Sequence, residues 1–151
     1  MHASIVLPTH AHSERLAECL VKELSAPAVL TFSGEIGSGK TTLIRALLRT
    51  LGIKSSIKSP TFSLVETYDC SDFVVHHFDF YRLEHSSALD DLGLRDYLST
   101  DAVCCIEWPK DLLADRISVD VAFSLTTHGD GRELCAQAYT TLGRRLVSLM
   151  L

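Results

Sequence analysis

A glycine-rich segment between a predicted strand and a predicted helix constrains this chain more than any other feature. Residues 34–42 match the pattern G-x-x-x-x-G-K-[ST] of a phosphate-binding loop. The glycines let the backbone curl so that successive N–H groups converge on one anion, and the positive end of the following helix strengthens that field. We therefore expect an α/β fold whose loop binds the phosphate chain of a nucleotide.

Each polar residue at the end of this loop has an expected role. Lys40 supplies a mobile positive charge for the β- and γ-phosphates, Thr41 offers its hydroxyl to Mg²⁺, and Thr42 is placed for a further phosphate contact. The candidate nucleotide-binding residues are Gly34, Glu35, Ile36, Gly37, Ser38, Gly39, Lys40, Thr41 and Thr42. The nucleotide is expected to be ATP, since the chain has no asparagine and hence no Asn/Thr-Lys-x-Asp segment for guanine.

Hydrophobic periodicity predicts helices and strands in alternation along the chain. The predicted helices cover 9–24 (starting between Thr9 and Ser13), 40–51, 86–92, 94–98 and 142 to the end, and the predicted strands cover 29–33, 63–68, 73–78, 102–106, 117–125 and 134–139. The turn at 128–131 predicts an antiparallel hairpin. We expect one P-loop ATPase domain over residues 1–151, with a mixed, mostly parallel central sheet, flanking helices and a C-terminal hairpin.

Two acidic residues follow apolar runs that predict buried strands. Asp79 follows residues 73–78, and Glu107 follows residues 102–106. A phosphate loop leaves Mg²⁺ only partly coordinated, and a carboxylate at the end of a neighbouring strand usually completes the shell through water. We expect Thr41, Asp79 and Glu107 to share a metal-and-water site. The sequence leaves open which carboxylate serves Mg²⁺ and which orients the attacking water.

Three other residues are candidates for the same site. Pro60 holds its segment extended, so that Thr61 could face a γ-phosphate as a switch residue, or belong to an ordinary loop. Trp108, the only tryptophan, follows Glu107 and suits stacking or a partner contact, or else fills the core. His77 shares a strand face with Asp79 and is expected to help orient it.

Charge and cysteine usage exclude several classes of protein. A net charge of −5 and a pI of about 5.7 argue against a chain that binds nucleic acid alone. The N-terminal residues lack the basic start and apolar core of a secretory signal, and no apolar run approaches the ~18 residues of a membrane span. We expect a cytoplasmic protein with no membrane partner. The five cysteines are odd in number and lack a Cys-x-x-Cys pair, which predicts buried reduced thiols and no disulfide-linked partner.

Four motifs together resemble the bacterial TsaE (YjeE) family over nearly the whole chain. They are residues 34–42, Ser-Pro-Thr-Phe at 59–62, His-Phe-Asp-Phe-Tyr-Arg-Leu at 77–83 and Glu-Trp-Pro at 107–109, in the order and spacing of that family. The resemblance implies the ATPase component of tRNA threonylcarbamoyladenosine biosynthesis. Such an ATPase resets TsaD and TsaB, which attach a threonylcarbamoyl group beside the anticodon, and it meets tRNA only through that complex.

The resemblance also assigns roles to individual residues. It implies that Asp79 serves Mg²⁺, that Glu107 and Trp108 are needed for hydrolysis, and that Thr61 is the switch threonine. The acid that often follows Trp-Pro in the family is Lys110 here, which changes the local charge.

Two other classes of function remain open on the residues alone. A small-molecule or nucleoside kinase would use the same loop but needs an arginine-rich lid, and no such cluster occurs in the sequence. A nucleotide-dependent binding module would also use this loop, with ATP locking an interface and little hydrolysis. Phosphate release and its dependence on Glu107 separate these alternatives.

Overall fold

The computed structural model describes residues 1–60, 63–83, 93–98, 101–109 and 117–151. Within these ranges the strands are β1 (His2–Leu7), β2 (Ala28–Ser33), β3 (Val65–Asp69), β4 (Val74–Asp79), β5 (Ala102–Glu107), β6 (Val121–His128) and β7 (Gly131–Ala138). The helices are α1 (His10–Glu23), α2 (Lys40–Thr50), the short α3 (Leu94–Tyr97) and α4 (Thr141–Ser148). The predicted helical turn at 86–92, Thr61 and Lys110 lie outside the described residues.

All the strands just named join one mixed sheet in the order β1-β7-β6-β2-β5-β4-β3. The four central strands β6, β2, β5 and β4 run parallel, while β1, β7 and β3 pair antiparallel with their neighbours. Parallel strands end at the same edge of a sheet, so the loops after β2, β4 and β5 lie together. This arrangement confirms the predicted mixed α/β sheet with a C-terminal hairpin.

Two strand predictions need correction. The sequence analysis did not predict β1, whose partner β7 lies more than a hundred residues away along the chain. The strand predicted from residue 117 begins at Val121. Asp120 stands just before it and accepts hydrogen bonds from the backbone N–H of Val29 (2.8 Å) and the hydroxyl of Thr140 (2.5 Å). Asp120 therefore ties the start of β6 to β2 and α4.

Alternating residues of the strands supply a core on each face of the sheet. Leu43, Ile44, Leu47 and Leu48 of α2 pack with α1 into the larger cluster, which Val103 and Cys105 of β5 also join. Cys104 and Ile106 point the other way, into a smaller cluster with Phe78 and Phe80. In the part of the chain that the structure describes, no helix is long and apolar enough to span a bilayer.

The five cysteines are free thiols, and burial differs among them. Cys104 and Cys105 are buried, and desolvation raises the pKa of Cys104 to about 12. Cys19 is exposed, so the prediction of buried thiols is wrong for that residue. Its position on α1, outside the apolar stripe of that helix, explains the difference.

A first prediction concerns Gly143 in the first turn of α4. A Cβ at this position would lie 2.1 Å from the carbonyl oxygen of Asp120. We expect Gly143→Ala to lower the free energy of unfolding by about 2–3 kcal/mol, because the backbone must shift to relieve the overlap. Urea unfolding measures the change, with Arg144→Ala on the exposed side of the same helix as control. Equal midpoints for the two variants would contradict this packing.

Candidate functional site

The loop between β2 and α2 has a backbone that only glycine adopts easily. Gly34, Gly37 and Gly39 have φ angles of +139°, +81° and +102°. At Gly34 space is limiting as well, because a Cβ there would lie 2.4 Å from the carbonyl oxygen of Leu125. The predicted phosphate-binding loop is thus built by its own glycines and by the neighbouring strand β6. Ile36, at its tip, is 73% exposed.

Lys40 begins α2 and turns its side chain back into the loop. The residue is buried, and Nζ donates to the carbonyl oxygens of Gly34 (2.6 Å) and Glu35 (2.9 Å). The buried Ser38 hydroxyl lies 3.4 Å from the same nitrogen. Backbone carbonyls satisfy the ammonium, and a phosphate chain would compete with them for it.

Trp108 covers this lysine from the strand next to the loop. Nζ of Lys40 lies 4.4 Å from the centre of the Trp108 ring, within the range of a cation–π interaction. Trp108 has a φ of 56°, an unusual conformation for a bulky residue, and its N–H donates to the carbonyl of Phe32. The ring of Tyr81, with its centre 4.8 Å away, packs against it. Positive φ at a site residue is typical of backbone shaped by function.

Burial and charge act in opposite directions on the ammonium of Lys40. Desolvation lowers its pKa and is the largest effect, while the negative charges of Glu107 and Asp79 raise it. The two carboxylates lie close enough to influence the lysine because both end strands at the same edge of the sheet.

Asp79 and Glu107 are paired in the register of β4 and β5, and both are buried. The Thr41 hydroxyl donates to Oε1 of Glu107 at 2.8 Å, which joins the start of α2 to the end of β5. Asp79 accepts the backbone N–H of Tyr81 on Oδ1. The structure therefore brings together Lys40, Thr41 and both carboxylates. Glu107 is the one bonded to the loop threonine.

Ser59 joins the two carboxylates, and the sequence analysis did not single it out. Its hydroxyl lies 2.5 Å from Oδ2 of Asp79 and 3.3 Å from Oε2 of Glu107. The Ser-Pro-Thr-Phe motif at 59–62 included Ser59, but only Thr61, which lies outside the described residues, was given a role. Ser59 therefore connects the segment before β3 to the acidic pair.

His77 contacts Glu107, which corrects the expectation that it orients Asp79. The ring is fully buried, with Nε2 2.6 Å from Oε2 of Glu107. In the parallel register His77 stands beside Cys105, so Glu107 is its diagonal neighbour on the same face. Both oxygens of Glu107 are thereby fixed, Oε1 by Thr41 and Oε2 by His77 with Ser59.

The oxygen donors at this edge suit a magnesium ion shared with phosphates. The hydroxyl of Thr41 and the carboxylates of Asp79 and Glu107 are hard ligands of the kind Mg²⁺ prefers. Across the described residues, no group of three or more His, Cys, Asp or Glu side chains could hold a metal ion. Mg²⁺ usually takes one or two carboxylates together with waters and phosphate oxygens, and Thr41, Asp79 and Glu107 offer such a partial set of ligands.

The glycine loop between β2 and α2, with two acidic strand ends beside it, defines the fold of P-loop nucleoside triphosphatases. The crystal structure of Bacillus subtilis YdiB has the same fold, with a TM-score of 0.81 over 99% of this chain and 94% of that one, at 21% identity. The family model "Threonylcarbamoyl adenosine biosynthesis protein TsaE" matches residues 7–134. The chain belongs to the TsaE family, whose role is in tRNA threonylcarbamoyladenosine biosynthesis.

Individual relatives carry the same name. The TsaE protein of Haemophilus influenzae is 35% identical over 136 residues, which cover 89% of this chain and 86% of the relative. That of Bacillus subtilis is 40% identical over 121 residues, covering 78% and 72%. The predicted family is therefore confirmed.

Proposed function

We propose that this chain is a Mg²⁺-dependent ATPase that drives turnover of the TsaD–TsaB complex during tRNA threonylcarbamoyladenosine biosynthesis. The observation that supports it most directly is the bond from Thr41 to Glu107 beside the buried Lys40. This joins a phosphate-binding loop to an acid at the place where P-loop enzymes hold their metal and attacking water. Residues 1–151 would form one such ATPase domain, acting in the cytoplasm, where tRNA is modified.

Each side chain would then have a defined task. Lys40 would leave the carbonyls of Gly34 and Glu35 and bind the β- and γ-phosphates, held in place beneath Trp108. The N–H groups of the loop and of Thr42 at the start of α2 would bind the remaining phosphate oxygens. Binding would be electrostatic and would depend on the loop's shape.

Hydrolysis would depend on the acidic pair. Thr41 and Glu107 would hold Mg²⁺, Glu107 through water, and the ion would neutralise charge that develops between the β- and γ-phosphates. Asp79 would complete the shell or accept the proton of the attacking water, and Ser59 holds it next to Glu107. Thr61 stays a prediction as the residue that senses the γ-phosphate.

The charge of the chain favours indirect contact with tRNA. With a net charge of −5 the chain lacks the overall positive charge that attracts a protein to the phosphate backbone of a nucleic acid. We therefore propose that TsaD and TsaB hold the tRNA and that this chain binds them in a nucleotide-dependent way. Tyr81, 44% exposed and packed at a tilt against Trp108, is in a position to link such binding to Lys40.

Phosphate release from ATP tests this function as the second prediction. The purified chain should hydrolyse ATP slowly with Mg²⁺. Addition of TsaD and TsaB should accelerate phosphate release by at least about tenfold, which corresponds to an activation free energy lower by about 1.4 kcal/mol. Lys40→Ala should abolish both rates, and omission of Mg²⁺ should do the same. Tight ATP binding without release in either condition would favour a nucleotide-dependent binding module. Transfer of the γ-phosphate to a metabolite would instead favour a kinase.

A further inference from the structure

Arg132 contacts the phosphate loop from the far side of the sheet. It is the second residue of β7 and pairs with Leu7 of β1 and Thr127 of β6. Its Nη2 donates to the carbonyl oxygen of Gly37 at 2.8 Å, across 95 residues of sequence, and Nη1 donates to the carbonyl of Gly131. The β6–β7 hairpin is thus bonded directly to the loop that holds Lys40.

One N–H group of the Arg132 guanidinium has no hydrogen-bond acceptor among the described residues. That group is Nε, which is buried. No carboxylate in the described ranges forms an ion pair with it. A buried N–H without an acceptor is costly. An anion at this position would give that N–H an acceptor and the guanidinium a counter-charge.

The free Nε lies where the phosphate loop becomes helix α2. A Cβ added to Gly39 would lie 3.6 Å from both Cγ and Nε of Arg132. Gly39, Thr42 and Arg132 line one cavity, which the end of β1 and the start of α1 close on the other side. Among the described residues that line the cavity, Asp130 on the hairpin turn is the one acid. An anion bound in this cavity would meet the first N–H groups of α2 together with the arginine.

We propose that Arg132 is a second cationic residue for the phosphate chain of the nucleotide, opposite Lys40, and that it holds Gly37 in the conformation that binds. This inference rests on the proposed nucleotide site. Arg132 contributes affinity that ATP and ADP share, since it bonds to Gly37 and lies beside Gly39, away from the acidic pair that would meet the γ-phosphate. The planar fork lets one group donate to the loop carbonyl and to phosphate together.

Calorimetric titration with ADP and with inorganic pyrophosphate tests this third prediction. We expect Arg132→Ala to weaken both ligands about ten- to thirty-fold, the worth of one charge-assisted hydrogen bond. Arg132→Lys keeps the charge but loses the fork, so it should recover only part of the affinity. Arg144→Ala is the matched control, because its guanidinium is exposed and, among the described residues, bonds only to Thr141 of its own helix.

The comparison of ligands separates binding from a structural role. Equal affinity of Arg132→Ala and wild type for ADP would overturn the proposal, even if the variant melts at a lower temperature. A lower affinity for ADP with an unchanged affinity for pyrophosphate would also overturn the proposal, since the arginine would then bind the nucleoside and not the phosphates. If Arg132→Ala does not fold, Arg132→Lys decides by the same criterion. Lys40→Ala shows which proposal has failed. Normal ADP binding by Lys40→Ala would mean that the proposed nucleotide site is wrong. Loss of ADP binding in Lys40→Ala but not in Arg132→Ala would reject only the role of Arg132.

Discussion

Replacing Lys40 by alanine is expected to lower the affinity for ATP and ADP by at least about a hundredfold, which corresponds to about 2.7 kcal/mol of binding free energy. The ammonium is buried inside the loop, so its charge acts on a phosphate through little water. Its loss also leaves the carbonyls of Gly34 and Glu35 without their donor, and the loop loses the group that organises it. Titration calorimetry with ADP measures the effect without any contribution from hydrolysis.

A second substitution shows whether charge or packing is responsible. Lys40→Met keeps an unbranched side chain beneath Trp108 but has no positive charge. We expect it to lose ADP affinity as fully as Lys40→Ala does, although its side chain packs better against Trp108 than alanine would. Lys54→Ala, on the exposed segment after α2, is the control for general loss of charge. Normal ADP binding by Lys40→Met would show that the lysine is structural and would remove the main support for an ATPase.

The phosphate loop could be predicted from the sequence because its requirements are local. Positive φ at Gly34, Gly37 and Gly39 needs glycine at fixed spacing, and the strand and helix on either side are visible as apolar patterns. The approach of Asp79 to Glu107 followed from a general rule, that parallel strands end at the same edge of a sheet. These features depend on short segments or on strand direction alone.

The contacts that the sequence analysis missed all depend on register or on distant pairing. His77 meets Glu107 because β4 and β5 are aligned so that these residues are diagonal neighbours, and a shift of one residue would reverse the faces. Arg132 reaches Gly37 only because β7 lies between β1 and β6. Ser59 bonds the acids from a segment with no regular structure. No local pattern encodes such contacts.

Glu107→Gln is expected to lower the turnover of ATP by about a hundred- to a thousandfold, because the carboxylate that would hold Mg²⁺ at the reacting phosphate is lost, and to leave ADP affinity within about threefold. Glutamine keeps the shape of the side chain, and its carbonyl oxygen can still accept the Thr41 hydroxyl. The negative charge that Mg²⁺ and the attacking water require is lost. The split between turnover and binding follows because, among the described residues, the Glu107 carboxylate bonds to the side chains of Thr41, Ser59 and His77 and not to the backbone of the phosphate loop.

Comparison of Asp79→Asn with Glu107→Gln over a range of Mg²⁺ concentrations shows which acid serves the metal and which serves the attacking water. The Thr41 bond places Glu107 nearer the metal position, so Glu107→Gln should need more Mg²⁺ for half-maximal rate. Asp79→Asn should lower the maximal rate with a smaller change in Mg²⁺ requirement. Glu133→Gln is the control, because that carboxylate lies on β7 and bonds only to Ser4 among the described contacts. Hydrolysis of ATP by Glu107→Gln at the wild-type rate would show that the acid holds structure only. Loss of hydrolysis with repeated rounds of tRNA modification still supported would show that the chain acts as a nucleotide-dependent binding module.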